Sequence, residues 1–487
     1  MATSSDLNLI FVSAEVAPFA KVGGLADVAG SLPVALARLG LKVVVAMPAY
    51  RMVLDDPRYE VSDVIAGFPV QVNPNWTVDA TVREIEIEGI RVLLIGGGGF
   101  FEGATSSETI YLPGVEQYVF FSHAVLGACH EMRLSPDVVH CNDWQTGLIP
   151  VLMREKYSAE YSETAAVFTI HNLAYQGEFG SEVLEMSGLP KSLFNMHQLE
   201  TWGKLNFLKA GCVYSDHVNT VSPTYAREIQ TPEYGCALEG LMSHLARHGR
   251  LSGILNGIDY GFFNPATDPA LTANFSRADR SNKALCKAFL QAEFELPVRH
   301  DIPLTGIVSR LSTQKGLDLV LQVAPKLTEL PAQLVVQGLG DPKIAEGMRE
   351  LEARFPNAIR FVQAFNADLA QRVYAGSDMF LMPSAFEPCG LGQMIAMRYG
   401  TVPVVRETGG LADTVFDSEN GFTFVDSNPD QLLDAVRRAA GAYSQPNMWS
   451  RIGGAGMDAD LSWEESAVAY QNLYESATRQ RIRGVAS

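Results

Sequence analysis

The sequence predicts an α/β fold built from two doubly wound halves. Short apolar runs of strand length alternate with helical patterns along most of the 487 residues, and this alternation is typical of parallel sheets with helices on both faces. Turn-forming residues cluster at 252–265 and mark a boundary between two such alternations. Each half is long enough to build its own hydrophobic core.

The elements follow from the positions of these apolar runs. In the first half, strands are predicted at 7–13, 42–47, 92–95, 137–140, 167–170 and 217–221. A helix is predicted at 28–39, where Gly40 ends it. In the second half, strands are predicted at 304–309, 333–337, 359–362, 379–382, 401–405 and 421–425. A final helix at 463–479 has no strand after it.

Composition and charge narrow the classes of partner. Lys and Arg total 37 against 55 Asp and Glu, a net charge of −18. Nucleic acids and anionic membranes both require a basic face, so we expect neither as a partner. No stretch reaches the ~20 apolar residues of a membrane span, and the first residues lack a signal-peptide pattern. The six cysteines include no Cys-x-x-Cys pair, which favours reduced thiols in a soluble, cytoplasmic protein.

The stretch 381–394 is the strongest candidate for a functional loop. Glu387 and Cys389 lie between the strand predicted at 379–382 and a helix predicted at 393–398, with Gly390 at the turn. Ligands of open α/β sheets bind at the carboxyl ends of strands, and a helix N-terminus suits an anion such as phosphate. An ordinary strand-to-helix turn is the alternative interpretation.

A repeated pentapeptide suggests that the two halves are related. Gly-Gly-Leu-Ala-Asp occurs at 23–27 and again at 409–413, each time after a predicted strand. Paired glycines allow a backbone to approach a ligand closely. If both loops face one cleft, a phosphate-bearing ligand could lie between the halves.

Three cations next to glycines could hold a diphosphate. Lys21 precedes the first glycine pair, and Arg310 and Lys315 follow the strand at 304–309. Arginine offers a planar pair of donors and lysine a point charge for phosphate oxygens. Solvated surface charge is the alternative for each of them.

Two polar clusters follow neighbouring predicted strands and have the composition of a sugar site. Asp143, Trp144, His171, Asn172 and Tyr175 combine hydrogen-bonding groups with aromatic faces. His140 is predicted to be a hydrogen-bonded core histidine. The sequence contains no His-x-x-x-His or Cys pair for zinc, no Gly-x-Ser-x-Gly motif and no Walker loop.

These residues together resemble the bacterial glycogen synthase and plant starch synthase family. The resemblance extends over nearly the whole chain, with motifs in family order at 21–25, 140–144, 169–172, 254–259, 308–316, 386–391 and 406–413. It implies the GT-B architecture, in which two Rossmann-like domains face a deep cleft. It also implies glucose transfer from ADP-glucose to the non-reducing end of an α-1,4-glucan such as glycogen, with retention of configuration, no cofactor and no metal.

The resemblance also implies domain limits and residue roles. The acceptor domain would span 1–255, the nucleotide-sugar domain 256–462, and a helix at 463–487 would cross back to the first domain. The implied catalytic residues are Glu387, His171, Arg310, Lys315 and Asp143. The implied substrate-binding residues are Lys21, Gly23, Gly24, Asp27, Asn172, Asn256, Gln314, Cys389, Gly390, Leu391, Thr408, Gly409 and Gly410.

Two departures from the family pattern affect the first half. The stretch 100–103 lacks an arginine that the family usually has there, and Gln117 replaces another arginine before an aromatic residue. Both lie away from the phosphate motifs, so they concern the acceptor side. The alternatives are a transferase of the same fold with UDP-glucose or a small acceptor, or a silent glucan-binding relative. The sequence leaves the oligomeric state open.

Overall fold

The structure is a computed structural model that describes residues 7–112, 114–327, 330 and 332–486. These residues form two compact units. Unit 1 contains the described residues up to Val221, Ala226–Gly257 and the chain from Trp463 onward. Unit 2 contains Ser222–Tyr225 and Ile258–Ser462.

The strands are labelled in chain order. They are β1 (Asn8–Val12), β2 (Lys42–Pro48), β3 (Ser62–Asn73), β4 (Trp76–Ile87), β5 (Ile90–Gly97), β6 (Val138–Asn142), β7 (Ala165–Ile170), β8 (Glu178–Phe179), β9 (Glu200–Thr201), β10 (Lys204–Asn206), β11 (His217–Thr220), β12 (Leu251–Gly253), β13 (Leu304–Val308), β14 (Gln333–Gln337), β15 (Ile359–Val362), β16 (Met379–Met382), β17 (Val402–Arg406) and β18 (Phe422–Phe424).

The α-helices are labelled in the same way. They are α1 (Gly24–Arg38), α2 (Arg51–Leu54), α3 (Glu116–Glu131), α4 (Leu148–Glu155), α5 (Glu182–Met186), α6 (Phe207–Tyr214), α7 (Pro223–Glu228), α8 (Glu239–Arg247), α9 (Lys283–Glu293), α10 (Leu317–Leu327), α11 (Pro342–Arg354), α12 (Ala367–Gly376), α13 (Gly392–Arg398), α14 (Gly409–Thr414), α15 (Pro429–Tyr443), α16 (Pro446–Asp458) and α17 (Trp463–Ala486).

Unit 1 is built on a mixed sheet. Among the described residues its strand order is β12-β11-β7-β6-β1-β2-β5-β4-β3. The strands from β12 to β5 are parallel, whereas β4 pairs antiparallel with both β5 and β3. Leu9 to Val12 of β1 are all buried, as expected for a central parallel strand covered on both faces.

The six predicted strands of the first half are confirmed, with ends that differ by at most two residues. The long hairpin of β3 and β4 was not predicted. Its residues alternate between buried and exposed positions over much of their length, because only one face of this antiparallel edge packs on the core. A search for continuous apolar runs does not detect such strands.

Unit 2 is built on a parallel sheet. Among the residues that the structure describes, the strand order is β15-β14-β13-β16-β17-β18, and each neighbouring pair is parallel. All six predicted strands are confirmed to within one residue at each end. The core contains buried apolar side chains such as Val320, Val336 and Val404.

Candidate functional site

Each unit brings several of the predicted site residues to one edge of its sheet. In unit 1, β1, β6 and β7 are neighbours, so the loops after Val12, Asn142 and Ile170 begin close together. In unit 2, β13, β16 and β17 are neighbours in the same way. The carboxyl ends of adjacent parallel strands are where open α/β sheets place their ligands.

The loop between β1 and α1 is held by Glu15. The Glu15 carboxylate is buried and accepts the backbone N–H groups of Val22, at 2.6 Å, and Gly23, at 2.9 Å. It also accepts a hydrogen bond from the hydroxyl of Tyr111. Three donors compensate for the cost of burying this carboxylate. Glu15 therefore determines the backbone conformation that carries Lys21 and the first glycine pair.

Lys21 forms an ion pair with Asp27 across this loop. Its Nζ donates to Oδ1 of Asp27 at 2.6 Å, and both side chains are partly exposed. Burial raises the pKa of the Asp27 carboxyl, and the Lys21 ammonium opposes that rise. Gly23 has extended backbone angles at the start of α1, and a Cβ there would have no atom within 4 Å. Gly24, the first residue of α1, is exposed.

Asp143 follows β6 in an unusual backbone conformation. Its φ is 55° and its ψ is 178°, a region that residues with a Cβ rarely adopt and that costs about 1–3 kcal/mol. The conformation directs its carboxylate to the backbone N–H of His171, which donates to Oδ1 at 2.8 Å. Burial raises the pKa of Asp143 to about 7. Strain and perturbed ionisation at one residue are typical of functional sites.

His171 begins the loop after β7. Its Nε2 lies 2.9 Å from Oδ1 of Asn142, and burial lowers the pKa of its imidazole to about 3. Asn172 follows and uses its side-chain oxygen to accept the N–H of Ala174 at 3.0 Å. The structure thus brings Asp143, His171 and Asn172 together.

Asn256 is a buried polar residue at the end of unit 1. Its side chain is 6% exposed, and its Oδ1 has no hydrogen-bond partner among the described residues. An unpaired buried amide oxygen costs free energy, so a ligand donor would stabilise it. The prediction that Asn256 binds substrate is compatible with this observation.

His140 is confirmed as a hydrogen-bonded core histidine. Its Nδ1 lies 2.9 Å from the hydroxyl of Tyr474, and its Nε2 lies 2.6 Å from Oγ1 of Thr169. Thr169 donates to Asn219, which donates to Tyr470. This network joins α17 to the sheet of unit 1, and it uses both ring nitrogens of His140.

In unit 2, the centre of the candidate site is an ion pair between Lys315 and Glu387. The Nζ of Lys315 donates to Oε2 of Glu387 at 2.6 Å, and the hydroxyl of Ser384 donates to the same oxygen at 2.9 Å. Glu387 is buried, and the side chain of Lys315 is 18% exposed. Gln314 ties the two loops together, because its carbonyl accepts the N–H of Ala385 at 2.8 Å. Arg310 lies earlier in the same loop and is exposed.

The turn after Glu387 leaves backbone donors available. Gly390 has a φ of 73°, a conformation that favours glycine. The N–H groups of Gly390 and Leu391 have no acceptor among the described residues. Cys389 is buried, and its carbonyl accepts from Nε2 of Gln393 at 3.1 Å. These two N–H groups are therefore available to donate to ligand oxygens, and the prediction that Gly390 and Leu391 bind substrate stays a prediction.

The second glycine pair is packed against this turn. A Cβ on Gly409 would lie 1.9 Å from the carbonyl oxygen of Glu387, and one on Gly410 would lie 2.1 Å from that of Cys389. The N–H of Gly410 already donates to the Glu387 carbonyl at 3.1 Å. Thr408, before the pair, is buried. Packing within unit 2 therefore accounts for both glycines, and the Gly410 amide is committed to an internal bond.

The described residues show neither a metal cluster nor a membrane-spanning helix. They contain no group of three or more His, Cys, Asp or Glu side chains placed to hold a metal ion. Within the same residues, no helix has the length and apolarity needed to cross a membrane. None of the six cysteines, all of which lie in the described part of the chain, forms a disulfide.

Four residues of these clusters were missed by the sequence reasoning. Glu15, Asn142 and Ser384 hold the predicted site residues Gly23, His171 and Glu387 in place through hydrogen bonds, and Tyr111 in turn holds Glu15. Glu15 and Asn142 adjoin predicted strands, and this position was the only available signal. Tyr111 is 96 residues from its partner Glu15, so no local pattern could reveal it.

Comparison of the chain with known proteins places it among glycosyltransferases. Residues 8–244 match the starch synthase catalytic domain family, and residues 291–453 match glycosyl transferases group 1. The chain is 45% identical over 506 aligned residues to a glycogen synthase from Desulforudis audaxviator, covering 97% of this chain and 96% of that protein.

Solved structures give the same result for the fold. The catalytic domain of starch synthase IV from Arabidopsis thaliana, bound to ADP and acarbose, superposes with a TM-score of 0.90 at 33% identity. The match covers 98% of this chain and 100% of that chain. A sucrose-phosphate synthase from Thermosynechococcus elongatus shares the fold, with a TM-score of 0.61 at 18% identity. That match covers 96% of this chain and 98% of the other. The predicted GT-B fold class is confirmed.

Proposed function

We propose that this chain, which belongs to the glycogen synthase family of glucosyltransferases, transfers glucose from ADP-glucose to the non-reducing end of an α-1,4-glucan. Retention of the anomeric configuration, independence of metal ions and a cytoplasmic location are parts of this proposal. The observation that carries it is the largely buried pair of Lys315 and Glu387 at the ends of β13 and β16.

This pair suits a ligand that carries both a diphosphate and a sugar. Without ligand, the ammonium and the carboxylate neutralise one another at 2.6 Å. A diphosphate would replace Glu387 as the partner of Lys315, and sugar hydroxyls would replace Lys315 as donors to Glu387. Arg310, in the same loop, would add a second cation. The N–H groups of Gly390 and Leu391 would donate to sugar oxygens.

Positive charge at the diphosphate would assist bond cleavage. As the bond between glucose and the diphosphate breaks, negative charge grows on the leaving oxygen, and fixed cations stabilise it. Lysine and arginine can supply this charge without a metal ion. Attack from the same face as the departing diphosphate, with a phosphate oxygen taking the acceptor proton, would retain the configuration.

Unit 1 supplies groups that suit a sugar. Asp143, His171, Asn172 and Asn256 are buried or half-buried hydrogen-bonding residues, and sugar hydroxyls both donate and accept. Burial raises the pKa of Asp143, and in its protonated form the carboxyl group could donate as well as accept. Within unit 1, Lys21 and the N–H groups of the first glycine pair are the groups that suit a phosphate.

The donor is tested by radiolabelled glucose transfer to glycogen from ADP-glucose and from UDP-glucose, each with a metal chelator. We expect strong incorporation from ADP-glucose in the presence of chelator. Preference for UDP-glucose would overturn the donor, and loss of activity in chelator would overturn metal independence. Incorporation from neither donor would favour a small acceptor or a silent relative. Retention is tested by the anomeric configuration of the product, observed by NMR.

The role of Lys315 is tested by Lys315→Ala. We expect turnover to fall at least ~10-fold, because a charge that stabilises the transition state is lost. Lys326→Ala is the matched control, since Lys326 also pairs with a carboxylate but is exposed. Activity of Lys315→Ala within twofold of wild type would remove Lys315 from the site.

A further inference from the structure

Asn142 occupies a position from which it can determine the state of His171. It is the last residue of β6, between β1 and β7, and it is fully buried. Its Nδ2 donates to the backbone carbonyl of Val12 at 3.0 Å. A carbonyl can only accept a hydrogen bond, so this contact determines which end of the amide is the NH2 group.

The other end of the amide faces the imidazole. With Nδ2 committed to Val12, it is Oδ1 that lies 2.9 Å from Nε2 of His171. An amide oxygen can only accept, so Nε2 must carry the proton. Burial lowers the pKa of His171 to about 3, so at neutral pH the ring has one proton and Nδ1 keeps its lone pair. Nδ1 has no partner among the described residues.

We propose that Asn142 is a positioning residue for His171, which holds the imidazole as its Nε2–H tautomer and leaves Nδ1 to accept a hydrogen bond from a substrate hydroxyl. The backbone of His171 is held separately, because its N–H donates to Asp143. Both the ring and the main chain are thus oriented before any substrate binds. The identity of the hydroxyl as a sugar group rests on the proposed function, but the tautomer does not.

The assigned tautomer limits the chemistry of His171. With a bare Nδ1, the ring can recognise a hydroxyl donor but cannot donate a proton to a leaving group from that nitrogen. A neutral ring also adds no positive charge beside a sugar carbon that becomes cationic in the transition state. His171 is therefore a recognition group in its resting state, rather than an acid.

The tautomer can be measured directly by nitrogen NMR of protein labelled at histidine. His171→Gln identifies the signals of His171 by their loss. We expect the wild-type signals at neutral pH to show a protonated Nε2 and an unprotonated Nδ1. A protonated Nδ1 with a bare Nε2 would overturn the proposal, as would a charged ring.

Three variants separate positioning from general stability. Asn142→Leu removes the acceptor, and we expect the Nδ1–H form of His171 to become substantially populated. Asn142→Asp keeps an oxygen toward Nε2, so it should retain the Nε2 proton. Asn219→Leu is the matched control, because Asn219 is equally buried and bonded to Thr169 and Tyr470 but not to His171. An Nε2–H ring unchanged in Asn142→Leu would overturn the proposal.

Transfer assays extend the test to the substrate. We expect Asn142→Leu to lower kcat/KM about 5-fold, the effect of losing about one neutral hydrogen bond, with Asn142→Asp closer to wild type. If Asn142→Leu is too unstable to assay, the NMR comparison of wild type with Asn142→Asp decides, since loss of the Nε2 proton in that variant contradicts the proposal. An inactive wild type with the expected tautomer would refute the proposed function and leave the tautomer assignment standing.

Discussion

The two copies of Gly-Gly-Leu-Ala-Asp have the same sequence but use their glycines differently. At 23–27 the first glycine has extended backbone angles and open space where a Cβ would be. At 409–413 the first glycine has a φ of 45°, and a Cβ would collide with the carbonyl of Glu387. The first pair leaves room for a ligand, whereas the second leaves room for its own neighbouring loop. A repeated motif therefore need not repeat its function.

The aspartates of the two copies differ in the same way. Asp27 pairs with Lys21, a partly exposed cation of its own loop. Asp413 accepts the N–H of Thr224 at 2.8 Å and its hydroxyl at 2.6 Å, and Thr224 is also in unit 2. The first aspartate is placed to respond to a ligand at Lys21, and the second has a structural role.

The largest difference in stability between the two copies is expected when the first glycine of each is replaced by alanine. Gly409→Ala should lower the free energy of unfolding of unit 2 by about 3 kcal/mol or more, because it adds both a collision and an unfavourable φ. Gly23→Ala should leave stability unchanged within about 0.5 kcal/mol. Thermal melting of both variants measures this, and equal melting temperatures would contradict the contrast.

Replacement of Glu15 should have the next largest effect on stability, and this effect should be confined to the first copy of the motif. Glu15→Ala removes the acceptor of three partly buried donors, so we expect a loss of about 2 kcal/mol in the free energy of unfolding and a higher KM for the donor through a displaced Lys21. Glu15→Gln should be milder, because its oxygen can still accept both N–H groups. In a Lys21→Ala background, Glu15→Ala should change KM little further; full additivity would show that Glu15 does not act through Lys21.

Replacement of Asp413, the aspartate of the second copy, should have a smaller effect on stability. In Asp413→Asn the side-chain oxygen can still accept the Thr224 N–H and the NH2 group can donate to the Thr224 hydroxyl, so only the extra strength of hydrogen bonds to a charged acceptor is lost, which should cost about 1 kcal/mol. Donor KM should not change, since the residue is assigned to packing. Denaturation and kinetics of the same preparation check both statements, and a change in KM without loss of stability would assign Asp413 to the site instead.

The smallest expected effect is a change with pH in the contribution of Asp27 to stability. Its pKa is raised in the folded protein, so the folded state favours the protonated form, and the associated stability is lost as pH rises through the folded pKa. Asp27→Asn cannot ionise, so its stability relative to wild type should increase with pH above about 4. Melting temperatures at several pH values measure this difference. A difference that is constant with pH would contradict it.

Much of the fold could be predicted from the sequence because buried parallel strands are continuous apolar runs. β1, β7 and β16 are examples, and each was predicted to within two residues. The antiparallel hairpin of β3 and β4 was missed because its alternating pattern depends on which face the rest of unit 1 covers. A strand that is buried on both faces can be recognised in the sequence as a continuous apolar run. A strand that is buried on one face has no such run and is harder to recognise.

The sequence by itself determined the fold class, the positions of the strand-end loops and the residues that could carry charge, since these depend on local composition and order. Only the tertiary structure decided which of those residues meet. It paired Lys315 with Glu387 across 72 residues and Tyr111 with Glu15 across 96, and it placed Asn142 beside His171. Hydrogen bonds between distant residues depend on the order of strands in the sheet, and a single sequence contains no local record of that order.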